Sequence, residues 1–146
     1  MDLSGLKWPV IIAVVVGLGW LGTSGGVNWM YSKFTASTPG VDAEQDKVDE
    51  AGLSKLGGYT LMLWQYEKAA NIFETAIDRY PNGANAYYNL YRLATCYDRM
   101  ERYPEAVDAL DTLMAHEAWT VDDRVPEFDN LNLKAAKLRG VHEIGV

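Results

Sequence analysis

Apolar positions fall along this chain in two regimes. From Trp8 to Tyr31 there is no charged side chain, and Trp8 to Leu21 is almost wholly apolar. Crossing about 30 Å of hydrocarbon takes roughly 20 helical residues, so this stretch predicts one transmembrane helix within residues 1–33. Lys7 and Lys33 bracket it, and Trp8, Trp29 and Tyr31 stand where amphipathic rings prefer the headgroup level. Pro9 falls in the first turn, where a missing N–H costs nothing. A cleaved secretory signal is the competing reading, with Thr23-Ser24-Gly25 as the cleavage site. Against it, there is no Ala-x-Ala motif and aromatic residues resume directly after the small run.

The second regime is helical. Ala69, Ile72, Phe73, Ala76, Ile77 and Tyr80 recur at i, i+3, i+4, i+7, i+8 and i+11, one apolar face. Tyr80-Pro81-Asn82-Gly83 ends that helix. Tyr87, Leu90, Ala94 and Tyr97 give the next helix its face, Met100-Glu101-Arg102 makes a turn, and Pro104 opens a further helix. The pattern returns at an offset of 37. Leu53, Leu56 and Gly57 correspond to Leu90, Leu93 and Ala94, while Tyr66, Ala69 and Phe73 correspond to Tyr103, Ala106 and Leu110. Each repeat is therefore a pair of helices, with small residues at Gly57, Ala69, Ala94 and Ala106 where the pair crosses.

On those residues the chain resembles the tetratricopeptide repeat family. Leu56-Gly57, then Tyr66, Ala69, Phe73, Ala76 and Pro81, follow the family pattern; the second copy reads Leu93-Ala94, Tyr97, Tyr103, Ala106 and Leu110. Thr60 stands where the family usually has an aromatic, and Leu113 replaces an alanine. The offset of 37 rather than 34 places about three extra residues in the loop near Asn82 to Asn85. The resemblance covers residues 50 to 118. Two repeats need a cap to cover their last face. Asp122 to Arg139 supplies one, with Pro126 as its first helical residue, Leu131, Ala135, Ala136 and Leu138 inward, and Phe128 packing back. The fold class expected is all-α: a single transmembrane helix, then two repeats and a capping helix over residues 50–146.

Between anchor and repeats, residues 34–49 read as an acidic linker. Asp42, Glu44 and Asp46 alternate like calcium ligands, but Lys47 stands where the loop needs glycine and Leu53 where it needs a bidentate Glu. They read better as the acidic first turn of a helix.

Charge narrows the partners. Nineteen of the twenty acidic and eleven of the thirteen basic side chains lie from Phe34 onward, a formal charge of −8. That excludes nucleic acid, which needs a clustered basic face. The single cysteine, Cys96, rules out an internal disulfide and a thiolate-rich metal site, and it reads as a small buried hydrophobe. His116 and His142 have no partner at metal-ligand spacing, and there is no phosphate loop or nucleophile elbow. Asp122-Asp123 reads as a turn and cap rather than a carboxylate dyad. The expectation is a non-enzyme with no cofactor and no metal.

The resemblance implies protein binding on the concave face formed by the first helix of each repeat. Carried over by position, that face holds Ser54, Gly58, Leu61, Met62, Tyr88, Tyr91, Thr95 and Asp98. The alternative for Leu61 and Met62 is ordinary core. Relatives that clamp a C-terminal carboxylate use Lys and Asn there; Ser54, Gly58, Tyr91 and Thr95 stand instead, so that activity is not implied. Gly19, Gly22 and Gly26 fall at i, i+3 and i+7, a stripe that would let another membrane helix approach, unless the glycines simply fray the helix end.

The leading expectation is an accessory subunit of a larger membrane complex, with integral membrane proteins and the lipid bilayer as partners. The alternative is a tether recruiting soluble clients, an outline similar to mitochondrial import receptors and bacterial translocon-associated repeat proteins. Flanking charge, with Lys7 against Asp2 on the short N-terminal side, favours a bacterial inner membrane with the C-terminal domain periplasmic.

Overall fold

Helices begin and end in this chain where local chemistry allows. Asp42 caps the helix Ala43–Met62 (α3): its carboxylate accepts from the backbone N–H of Glu44 at 3.0 Å and of Gln45 at 3.3 Å. Glu44 and Asp46 sit in its first turn, where the helix dipole favours acids. In this computed structural model, which describes residues 4–21 and 23–142, all regular elements are helical. Before α3 come α1 (Ser4–Leu21) and α2 (Ser24–Phe34). After it come α4 (Tyr66–Arg79), α5 (Ala86–Arg99), α6 (Tyr103–Ala115), a single 3-10 turn at Ala118–Thr120, and α7 (Phe128–His142).

The expected pairs are present. α3 packs on α4, α4 on α5, α5 on α6 and α6 on α7, each helix lying against its neighbours in sequence. Leucine and aromatic side chains fill three successive layers. Leu53, Leu56, Ile72 and Ala76 form the first, Phe73, Leu93 and Cys96 the second, and Leu110, Leu113, Leu131 and Ala135 the third. Gly57 is small because Phe73 lies across it: a Cβ there would stand 2.7 Å from the ring. The two short turns inside the repeats are residues 63–65 and 100–102, whereas the connection between repeats spans residues 80–85. Glu50 of α3 is buried over that longer connection, its carboxylate accepting from the Asn85 backbone N–H at 2.9 Å and from the Asn85 side-chain amide.

The N-terminal region departs from the single transmembrane helix expected over Trp8 to Tyr31. The helix breaks after Leu21, and α1 and α2 meet at 74°. Thr23 caps α2, its hydroxyl accepting from Gly26 N at 3.5 Å. The cause lies in α2 itself. Val27, Met30, Tyr31 and Phe34, at i, i+3, i+4 and i+7, form an apolar stripe that packs on α3 and α4, leaving Val27 only 1% exposed. Tyr31 Oη lies 2.9 Å from Thr75 Oγ1 of α4, and the Phe34 ring occupies the space a side chain at Gly52 would need. Burial of this stripe against protein outweighs continuation of α1 in a straight line. No single helix among the described residues is long and apolar enough to cross a membrane; α1 and α2 pass that test only together, as a bent pair.

Three further expectations change. The stretch 34–49 is no free spacer: Phe34 ends α2, α3 opens at Ala43 with the expected acidic first turn, and the part between them is tied to the repeats. Ser37 donates to the buried Asp49 carboxylate, the Arg79 guanidinium donates to the Ser37 carbonyl, and Gly40 N donates to Asp46 at 3.0 Å. Pro126 is not the first helical residue of the cap, which starts at Phe128. Phe128 itself is largely exposed, with its ring edge-on to Trp119 at 6.2 Å. Leu131, Ala135 and Leu138 point inward as expected, while Ala136 is exposed.

Candidate functional site: the concave face

α3 and α5 lie side by side as the first helices of their pairs, and α7 follows α6 beyond them. Their exposed side is the face on which the resemblance implies protein binding. Ser54 and Gly58 are buried at its floor; Leu61, Tyr88, Tyr91, Thr95 and Asp98 are half-buried. Leu61 joins the layer around Phe73, as the core alternative has it, whereas Met62 is 75% exposed at the end of α3 and lies outside any core layer.

Arg92 covers Gly58. A Cβ on that glycine would overlap the guanidinium, so the absence of a side chain is what lets Arg92 lie flat across α3. The same guanidinium is 5.5 Å from the Phe73 ring centre and 4.9 Å from that of Tyr88. Arg124, from the loop before α7, reaches the Tyr88 ring at 4.4 Å. Such contacts hold cations flat on aromatic faces while leaving N–H groups free for a partner. Arg124 is fixed by Asp122, whose Oδ1 accepts from Nε at 2.9 Å and from the Arg124 backbone at 3.0 Å. The hydrogen bonds from Arg124 hold the Asp122 carboxyl below its usual range. Arg124 also donates to Asn85 Oδ1 at 2.8 Å, tying the cap to the inter-repeat loop. Lys134 of α7 stands 5.3 Å from the Tyr91 ring; burial lowers its pKa and Asp98 partly offsets that.

A cavity of about 140 Å³ opens between α3, α5 and the Arg124 loop, walled by Ser54, Lys55, Asn85, Tyr88, Arg92 and Arg124. In a domain of strongly negative charge, Lys55 and Arg92 make this wall cationic, while the charge of Arg124 is paired with Asp122. Among the described residues no carboxylate stands within ion-pair distance of Lys55 or Arg92. The arrangement offers N–H donors and aromatic edges, and it holds no nucleophile–base pair. No group of three or more His, Cys, Asp or Glu side chains among the described residues is placed to hold a metal.

Of the residues selected by position, Ser54 and Tyr88 line this cavity, Gly58 lies under Arg92, Leu61 is core, and Asp98 faces α7 instead, so the side chains that dominate the surface are others. Arg92 sits four residues after Tyr88 on the same helix face, a signal available in the sequence. Arg124 and Lys134 come from the cap, whose placement no local pattern gives. The glycine stripe is not formed as one line: Gly19 and Gly26 belong to helices 74° apart, Gly26 is buried, and Gly22 lies outside the described residues.

Cys96 is fully buried in the second layer, and that burial pushes its thiol up to about 11. It is a packing residue, as the sequence implied.

No curated protein matches the chain, and no solved structure does. Residues 64–118, which run from the first intra-repeat turn through α4, α5 and α6, match the family model described as tetratricopeptide repeat, the type of helical repeat that serves protein–protein interaction.

Proposed function

We propose that this chain is a membrane-anchored, non-catalytic protein-binding module and an accessory subunit of a larger membrane protein complex. The observation that carries this reading is α1. Its large apolar side chains from Leu6 to Trp20 are between 42% and 69% exposed around the whole circumference, with no core of their own to enter. A helix apolar all round needs either a large core or lipid. Its apolar run, residues 8–21, extends about 21 Å, roughly 9 Å short of a hydrocarbon layer, a mismatch that local thinning of the bilayer absorbs in this reading. Because α2 is docked on α3 and α4, the repeats begin directly after α1 with no long spacer, which suits a subunit held close to its complex. The groove residues Ser54, Gly58, Leu61, Tyr88, Tyr91, Thr95 and Asp98, with Arg92 and Arg124, then form the docking face. We assign α1 to the inner membrane of a bacterium with the repeats periplasmic, on the flanking charge.

The open cationic wall of Lys55 and Arg92 favours a second reading, a tether that recruits soluble clients through acidic or carboxylate-bearing segments. One experiment separates the two. Native membranes are washed with salt and extracted in mild detergent, and the proteins that co-migrate with the chain are identified by mass spectrometry. Stoichiometric co-migration with one set of integral membrane proteins supports the subunit. Migration at the monomer's own size, with soluble proteins in varying amounts, overturns it in favour of the tether. Recovery in the soluble fraction before detergent overturns the anchor. Protease added outside intact spheroplasts removes the repeats if they are periplasmic and spares them otherwise.

A further inference from the structure

The turn between α3 and α4 has a chemistry that its geometry does not require. Met62, Leu63 and Trp64 are 75%, 37% and 78% exposed, so three consecutive apolar side chains face solvent. The turn repeats 37 residues later with the same backbone: Trp64 and Glu101 both adopt positive φ, and Gln65 N donates to Thr60 O as Arg102 N donates to Tyr97 O. In that second copy the corresponding residues are Arg99, Met100, Glu101 and Arg102. The backbone is satisfied by a charged sequence, so neither the left-handed residue nor the hydrogen bonds call for tryptophan.

What distinguishes the first turn is its place. α2 and α4 run in the same direction, because Tyr31 meets Thr75 while Val27 and Asn28 share a cavity wall with Lys68 and Asn71. The start of α2 and the start of α4 are therefore at one end of the bundle. Lys68 and Asn71 also line the hollow beside Trp64, so Trp64 stands next to that same end. It is the end from which α1 departs, and there Trp20 and Trp29 lie 6.2 Å apart across the bend. Exposed tryptophan and neighbouring apolar side chains, grouped where an apolar helix leaves the domain, have the composition of the lipid–water boundary.

We infer that the Met62-Leu63-Trp64 turn is a second membrane contact, entering the interfacial layer of the same bilayer leaflet that α1 enters. The inference rests on the reading of α1 as the membrane segment. Two contact points, α1 and this turn, fix the domain's tilt as well as its distance from the bilayer. They direct the α5–α6 turn and the concave face in a defined direction along the membrane surface. The occupant is the headgroup and upper acyl region of zwitterionic lipid, since the domain's net charge of −8 disfavours an anionic surface.

The test uses the full chain in phosphatidylcholine vesicles, carrying Cys96→Ala and one nitroxide-labelled cysteine at a time. Label depth is read from the collision rates with oxygen and with a water-soluble nickel chelate. Four sites decide: Val15→Cys in α1, Met62→Cys on the turn, Arg99→Cys at the equivalent place in the second repeat, and Asn82→Cys at the far end. The expected result is Val15 deep, Met62 at interfacial depth, and Arg99 and Asn82 in water. Adding Trp64→Glu, which copies the residue the second turn already tolerates, should return the Met62 label to water while leaving Val15 deep. A Met62 label as aqueous as Arg99, with Val15 deep, overturns the second contact and leaves the anchor intact. That outcome would make the turn a surface for a protein partner. A Val15 label in water overturns the anchor and this inference together.

Discussion

Trp64 and Glu101, 37 residues apart, hold the same left-handed backbone conformation, with φ of 60° and 62°. Each closes the first helix of a repeat, and each is followed by a residue whose N–H reaches back five positions. The pair shows the repeat in the backbone, where the side chains had diverged from aromatic to acidic. Side chains with a Cβ are uncommon in this region because the Cβ crowds a carbonyl, and glycine is the usual helix-ending residue there. Glu101→Gly is therefore expected to stabilise the protein by about 0.5–1 kcal/mol, within the range typical of backbone relief at such sites. Urea unfolding reads this as a higher midpoint at unchanged slope. A lower midpoint would mean that the Glu101 side chain makes contacts that outweigh the strain.

Gly57 and Gly58 adjoin in sequence but should respond differently to alanine. At Gly57 the added methyl meets the buried Phe73 ring, which is held on all sides, so overpacking should cost about 2–3 kcal/mol. At Gly58 it meets the end of Arg92, a long side chain that can swing away. Gly58→Ala should cost under about 1 kcal/mol while displacing Arg92 from Tyr88. Thermal melts rank the two variants, and equal losses would contradict this account of the helix crossing.

Docking of α2 has its own test. Val27 is almost fully buried against α3 and α4, and truncating such a side chain removes about 1–2 kcal/mol of transfer energy. Val27→Ala should lower the unfolding midpoint of the full chain in detergent. If residues 24–34 lay in the membrane as a continuation of α1, the substitution would leave the repeats' stability unchanged.

Cys96 links stability to alkaline pH. Its thiol ordinarily titrates near 9, and burial pushes it up to about 11 in the folded chain. The unfolded thiol thus loses its proton first. The contribution is complete below pH 9 and is lost as pH rises from 9 to about 11. Cys96→Ala should flatten the fall in stability over that window, although it leaves a small cavity. The native thiol should also resist disulfide exchange reagents at pH 8, reacting only as fast as the chain opens. Rapid labelling of folded protein would place Cys96 at the surface.

On the concave face, Arg92→Glu should leave the helical content unchanged, since Arg92 is only half-buried and packs on the outer side of Phe73 and Tyr88. Reversing the charge of an interfacial group typically weakens a complex by 10-fold or more. The readout is retention of partner proteins after salt washing of native membranes. Undiminished retention would remove the cationic wall from the docking surface.

What the sequence determined by itself is the repeating unit. Helix periodicity is local, and the 37-residue recurrence of Leu56-Gly57, Ala69 and Phe73 shows which faces must pair before any coordinate is known. The buried role of Cys96, the acidic first turn at Glu44 and Asp46, and the inward places of Leu131, Ala135 and Leu138 follow in the same way from spacing and local chemistry. The tertiary structure alone decided the rest. An apolar run carries no mark of whether lipid or protein will cover it, so the stretch from Trp8 to Tyr31 read as one helix. The stripe Val27, Met30, Tyr31 and Phe34 found a protein surface instead. Thr23, whose hydroxyl caps α2, is where the helix that reaches it starts. The cationic wall was hidden for a related reason. Lys55, Arg92 and Arg124 are scattered along the chain, and only the packing of α3, α5 and the loop before α7 brings them to one wall.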